Sequence, residues 1–163
     1  MDTSDASLSS NRPAPTLALR LTFAYRGNDI RLIDSHRVEA IAPPAVTAVP
    51  QPGQTGYWFQ VTDSAGRVIY HRVLHSPVAV DVEAFSPEGR QTITRVPIAD
   101  PQGQFSVLMP DVPEAANFAL LGPADARKPE QPAQELVRLD VNDLRKFHRK
   151  DAGRSASDPP KGN

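Results

Sequence analysis

The sequence predicts an all-β fold, an antiparallel sandwich of about seven to nine strands of the immunoglobulin-like or jelly-roll type. In several segments apolar and polar residues alternate with a period of two, which is typical of a strand with one buried face. Turn-forming residues separate these segments at short intervals. The 17 prolines, against 9 glycines, argue against long helices, because proline is excluded from helix interiors.

The first elements follow from this alternation. Residues 17–25, in which every second position is apolar, predict the first strand, and 26–29 supply turn residues. The next strand is expected to be interrupted by a bulge or kink at 34–36. Residues 43–56 contain four prolines and are predicted to form a loop.

Three turn motifs in the middle of the chain begin at Asp63, Ser86 and Asp100 and share one pattern. Asp or Ser stands first and Gly fourth, and Pro stands second in two of them. The first side chain accepts a backbone hydrogen bond, and the glycine takes the left-handed conformation of a following bulge. The valines of 78–85 alternate with polar residues and predict one buried face. The predicted hairpins pair 57–62 with 67–74, 78–85 with 91–98, and 91–98 with 104–109.

The C-terminal part predicts a strand at 117–121 and a closing strand at 136–141, followed by one helical turn capped by Asn142. The chain therefore divides into three parts. These are a disordered N-terminal tail at 1–15, one sandwich domain at 16–141, and a basic, mostly disordered C-terminal tail at 142–163.

Composition narrows the function classes. The net charge of −1 gives no bias toward nucleic acid. The absence of cysteine excludes disulfides and thiolate metal sites. No apolar run approaches the roughly 18 residues of a membrane span. Residues 1–11 have no basic or apolar signal-peptide region, so the default expectation is a soluble cytoplasmic protein.

Residues 56–63 (Gly-Tyr-Trp-Phe-Gln-Val-Thr-Asp) and 66–72 (Gly-Arg-Val-Ile-Tyr-His-Arg) resemble a hairpin of a known family. In the N-terminal β-sandwich domain of IgA-protease-type metallopeptidases, an aromatic-rich strand ending in Asp pairs with a Gly-Arg-aliphatic-aliphatic-Tyr strand. Residues 22–27 are similar to the first strand and turn of that domain. The resemblance covers about the first half of the sandwich and implies a non-catalytic accessory domain. The sequence contains no His-Glu-x-x-His, so the resemblance implies no zinc ligand here.

Two histidines, His71 and His75, have the i,i+4 spacing of helical zinc sites. On a strand that spacing separates the side chains by about 13 Å, which is too far to share one ion. No metal and no cofactor are therefore predicted. Only a bend at Ser76 that brought His75 toward Asp81 would favour a metal site.

Candidate catalytic residues do not form a working set in the sequence. Asp34, Ser35 and His36 are adjacent on an extended segment, so their side chains alternate between opposite sides instead of converging. Asp81 and Glu83 share one strand face, where solvated charge is the expected role without a sugar-shaped cleft. No catalytic residue is predicted, and the chain is expected not to be an enzyme.

A candidate binding surface lies on the first predicted hairpin. Trp58 is the only tryptophan, and it alternates with Tyr57 and Phe59. An exposed Trp58 would be a stacking platform, and a buried one would be core. The candidate surface residues are Trp58, Tyr57, Tyr70, His71, His75 and Arg72.

The favoured function is a non-enzymatic interaction or accessory module that binds a protein partner, within a larger bacterial assembly or beside a separate enzyme. Loops 43–52 and 122–132 are its expected contact elements. One alternative is a carbohydrate-binding sandwich that uses Trp58. The other is a small metal-dependent hydrolase that uses His36, His71 or His75. The basic segment 145–150 is expected to be a flexible tether.

Overall fold

The computed structural model describes residues 16–46, 51–85 and 93–147, and the strands in these segments pair antiparallel. The fold is all-β, as predicted. The elements are β1 (Leu17–Arg26), β2 (Asp29–Glu39), β3 (Tyr57–Thr62), β4 (Val68–Leu74), β5 (Asp81–Phe85), β6 (Ile93–Pro97), β7 (Gln102–Pro110), β8 (Asn117–Gly122), β9 (Gln134–Asp140) and helix α1 (Val141–Lys146).

Two sheets pack face to face around one core. The first sheet has the order β2-β1-β7 and the second β4-β3-β8-β9, whereas β5 and β6 form a separate two-stranded sheet. Phe23 of β1 stacks on Phe118 of β8 with ring centroids 5.8 Å apart, and Phe118 stacks on Phe59 of β3 at 5.3 Å. All three rings are fully buried, so these aromatic contacts join the two sheets.

The predicted interruption of the second strand is a single β-bulge in a continuous β2. Thr22 pairs with Asp34 and Phe23 pairs with Leu32, which leaves Ile33 as the extra residue. The bulge therefore lies one position before the predicted segment.

The first predicted turn is confirmed. The Gly66 N–H donates to the Asp63 carbonyl at 3.0 Å, and Gly66 has a φ of +80°. The Asp63 carboxylate accepts from the N–H groups of Arg67 at 2.9 Å and Ala65 at 3.0 Å, and from the Arg67 guanidinium at 2.7 Å. The bond from the Arg67 amide is the main cause of the lowered Asp63 pKa, to which the guanidinium and the Ala65 amide also contribute. This turn sets the β3–β4 register.

The third predicted hairpin is wrong, and the second turn motif lies outside the described residues. β7 pairs with β1 over nine residues and not with the strand before it. Asp100 forms an ion pair with Arg26 at 2.8 Å, and the Pro101 carbonyl accepts from the Gly27 N–H at 2.7 Å. The segment thus packs against the β1–β2 turn, because the nine-residue pairing with β1 outweighs a local turn preference.

The beginning of the predicted C-terminal tail belongs to the folded domain. α1 starts at Val141, two residues earlier than expected, because its N-cap is Asp140 instead of Asn142. Val141 and Leu144 are buried in the main core. Arg145 was expected in a flexible tether, but it donates to the Asp111 carboxylate, whose side chain is 5% exposed, at 2.8 Å and fixes the helix to the domain. No helix in the described segments is long and apolar enough to cross a membrane.

Candidate binding surface

The residues predicted to form one binding surface do not form one. Tyr57, Trp58, Tyr70 and His71 are only 4 to 7% exposed. Of the six candidates, only His75 is exposed, and Arg72 is half-buried. The structure therefore places most of this set inside the protein.

Trp58 is a packing residue, which was one of its two predicted roles. Its neighbours on β3, Tyr57 and Phe59, are buried as well, so this central strand is covered on both faces. The Trp58 ring meets His71 edge-on with ring centroids 6.4 Å apart. The carbohydrate-binding hypothesis required an exposed ring at Trp58, and this ring is buried.

Tyr70 and Arg72 hold part of the first proline-rich loop against the edge of β4. The Tyr70 hydroxyl donates to the Pro43 carbonyl at 2.6 Å, and Arg72 donates to Pro44 at 3.3 Å. The Val46 N–H donates to a β4 carbonyl at 2.8 Å. Burial raises the pKa of the Tyr70 hydroxyl above its ordinary value. This part of the loop is fixed on the sheet, and 47–50 lie outside the described residues.

The Asp34, Ser35 and His36 side chains do not converge. Ser35 is buried and donates to the Leu144 carbonyl at 2.8 Å, which ties β2 to α1. Asp34 and His36 lie on the opposite face of the strand, where His36 Nδ1 and Asp34 Oδ2 are 3.1 Å apart. This is the alternation expected of an extended segment.

The outer face of the first sheet carries a shallow depression of about 590 Å³. Arg26, Arg31, Asp29 and Gln104 are among its lining residues. Because these charges are of both signs and Arg26 already pairs with Asp100, the depression selects no class of ligand.

The feature that distinguishes the surface is the two-stranded sheet of β5 and β6, which we call the β5–β6 hairpin. Each strand has five residues, and neither pairs with any other strand of the described segments. All residues of β6 are exposed. Val82, predicted to face the core, is 52% exposed, because no second layer of described residues covers it. A two-stranded sheet of this length is at best marginally stable without a supporting layer.

The base of the hairpin is firmly attached to the sandwich. Val78 is buried in a second apolar cluster with Tyr25 and Tyr57. The Ala79 N–H donates to the Tyr25 hydroxyl at 3.2 Å. Arg127 donates to two carbonyls that follow β6 at 2.9 and 3.2 Å. The hairpin therefore projects from a fixed base.

The two faces of the hairpin differ in polarity. Val82 pairs with Val96 and Ala84 with Thr94, so one face is uncharged, and Val96 is 44% exposed. On the other face Glu83 pairs with Arg95 and Asp81 with Pro97. The uncharged face, which we call the valine face (Val82, Ala84, Thr94 and Val96), is an exposed apolar surface that no strand of the described segments covers. Ile93, 56% exposed, lies on the other face beside the charged pair.

A cleft of about 600 Å³ separates the base of the hairpin from the end of the second sheet. Its lining includes His75 and Asp81, and Ser76, which follows His75, has a φ of +30°. The bend considered in the sequence is thus present, yet the described residues contain no group of three or more metal-ligating side chains. Tyr57 also lines the cleft, and its pKa is raised by burial and by Asp125.

Sequence reasoning missed the hairpin as a candidate site because Val82 and Val96 have the same alternation as core residues. The sequence signal was that each strand carries a charged residue on its opposite face, Glu83 in β5 and Arg95 in β6. No family model matches the chain, and no curated protein or solved structure matches it either.

Proposed function

We propose that the chain is a non-enzymatic interaction module that binds another protein through the valine face of the β5–β6 hairpin. The observation that carries the proposal is the exposure of Val82 and Val96 on a two-stranded sheet over which the described residues place no supporting layer. A protein that covers this face would remove apolar surface from water and stabilise the hairpin.

The chemistry of the valine face defines the partner. The face has no charged side chain, so the complementary surface is apolar and uncharged, as in the centre of protein–protein interfaces. A nucleic acid does not fit, since its phosphates need cationic groups that this face lacks. Glu83 and Arg95 lie on the opposite face.

The resemblance to a non-catalytic accessory domain supports the same reading. An accessory module needs a rigid body and a contact element that projects from it. Here the sandwich is the rigid body, and the Arg127 and Tyr25 hydrogen bonds hold the base of the hairpin. The loop 122–132, expected to be a contact element, supplies Arg127 to this base.

The test is affinity capture from the native host with the full-length chain and a paired variant. V82E/V96K places charge on the valine face as a cross-strand ion pair, so it preserves pairing within the hairpin. We expect wild-type protein to capture a partner that V82E/V96K fails to retain, at least tenfold less by quantitative mass spectrometry, with unchanged thermal unfolding.

The matched control reverses the ion pair on the other face. E83R/R95E keeps two opposite charges in register and leaves the valine face intact, so it should capture the same partner as the wild type. If V82E/V96K retains every protein that the wild type captures, the hairpin face is not the binding site.

A further inference from the structure

The second edge of β7 is a long strand edge that no strand of the described segments covers. One edge of β7 pairs with β1 along all nine residues, from Gln102 to Pro110. The sheet order β2-β1-β7 leaves the other edge at the outside of the first sheet. Such an edge presents a row of backbone N–H and C=O groups to any strand that approaches.

Among the described residues, charge or a backbone hydrogen bond protects the other edges of the two sheets, and neither protects this one. β2 carries six ionisable side chains along eleven residues, and β9 carries Glu135, Arg138 and Asp140. At the edge of β4, the Val46 N–H donates a hydrogen bond to a β4 carbonyl. By contrast, β7 has the sequence Gln-Gly-Gln-Phe-Ser-Val-Leu-Met-Pro, with no charge and with proline only at its last position. Charge and proline are the usual means of blocking edge-to-edge pairing.

We propose that β7 pairs antiparallel with β7 of a second copy of this chain and joins two three-stranded sheets into one of six strands. An uncharged strand is complementary to itself, because antiparallel self-pairing places no like charges opposite each other. The same pairing along β2 or β9 would bring ionisable side chains of the two copies together. The proposal concerns a different surface from the valine face and stands independently of it.

The register of the pair follows from the length of β7. Centring the two-fold axis on Ser106 overlaps all nine residues, which is roughly 30 Å of strand at about 3.4 Å per residue. Phe105 then lies opposite Val107 of the second copy, an aromatic and β-branched pair of the kind that stabilises sheets. Phe105 is only half-buried at the sheet edge, and this neighbour would cover it. On the outer face Gln104 lies opposite Leu108 of the second copy.

A charge design at these two positions tests the pairing by sedimentation equilibrium. In Q104K/L108K two lysine pairs face each other across the two-fold axis, and the dimer dissociation constant should rise about tenfold or more. In Q104E/L108K the same positions form two attractive pairs, so this variant should dimerise at least as tightly as the wild type. Either a monomeric wild type or equal dissociation constants for the two variants would overturn the proposal.

A cysteine pair tests the register, since the natural chain has no cysteine. Opposite residues of an antiparallel pair have Cβ atoms about 4.5–5.5 Å apart, near disulfide range. S106C should therefore cross-link to a covalent dimer under mild oxidation. Q104C should not, because its two copies would be about 13 Å apart along the strands. Efficient cross-linking of Q104C with none of S106C would contradict this register.

Discussion

Replacing Phe118 with alanine is expected to lower the free energy of unfolding by about 3–5 kcal/mol, the largest effect of any substitution considered for this protein. Phe118 is fully buried and stacks on Phe23 of the first sheet and on Phe59 of its own. Its removal leaves a cavity between the sheets that neither can close without shifting its strands. Urea unfolding followed by tryptophan fluorescence measures the loss.

The control for this prediction is Val73→Ala in the same sheet. Val73 is 50% exposed on β4, so shortening it should cost less than about 1 kcal/mol. A double-mutant cycle of F23L and F118L should give a coupling of about 0.5–1.5 kcal/mol, because the two rings contact each other across the sheets. A loss below about 1 kcal/mol for F118A would contradict the described core.

Gly122→Ala is expected to destabilise the protein by about 1–3 kcal/mol through overpacking. A Cβ atom at Gly122 would lie 2.5 Å from two ring carbons of Tyr57 and 2.8 Å from Leu136. Tyr57 is buried in the second apolar cluster, so its ring has little room to move away. The midpoint of urea unfolding, at unchanged slope, reports the change.

The matched test shortens the residue that the new methyl group would strike. Y57A removes both ring carbons that the methyl group would strike, so Gly122→Ala should cost at least 1 kcal/mol less in the Y57A background than in the wild type. Additive effects of the two substitutions would mean that Tyr57 and Gly122 are not in contact.

The core of the fold could be predicted from local sequence, because it repeats one simple pattern. Alternation marked Leu19, Leu21 and Phe23 as one face of β1, and these side chains are buried. The turn at Asp63 and Gly66 was also predictable, since its hydrogen bonds join residues at most four positions apart. Local signals suffice where the structure that they specify is local.

The partner of β7 could not be predicted from the turn motif at Asp100. That motif is compatible with a hairpin, yet the choice between β1 and β6 depends on a nine-residue pairing between distant parts of the chain. Loop closure and the total length of the ladder decide such a choice, and neither is visible in four residues.

The candidate site was less predictable than the fold for a similar reason. Val82 and Val96 alternate like core valines, and only the three-dimensional arrangement shows that the described segments place no second layer over them. Trp58 presented the opposite problem, because both faces of β3 are covered and alternation on one strand cannot reveal this. Whether a strand face is buried depends on the layers that pack against it, and the sequence of a single strand does not specify those layers.

Amide hydrogen exchange of the isolated protein tests the central claim most directly, namely that the β5–β6 hairpin projects from a stable two-sheet body and is supported by no other strand of the described segments. β1, β3 and β8 each have a strand on both sides, so their amides should exchange most slowly and report global unfolding. Amides of the β5–β6 hairpin should exchange at least a hundredfold faster. Hairpin amides protected as strongly as those of β1 would mean that the hairpin is part of the core. That result would contradict its proposed role in binding.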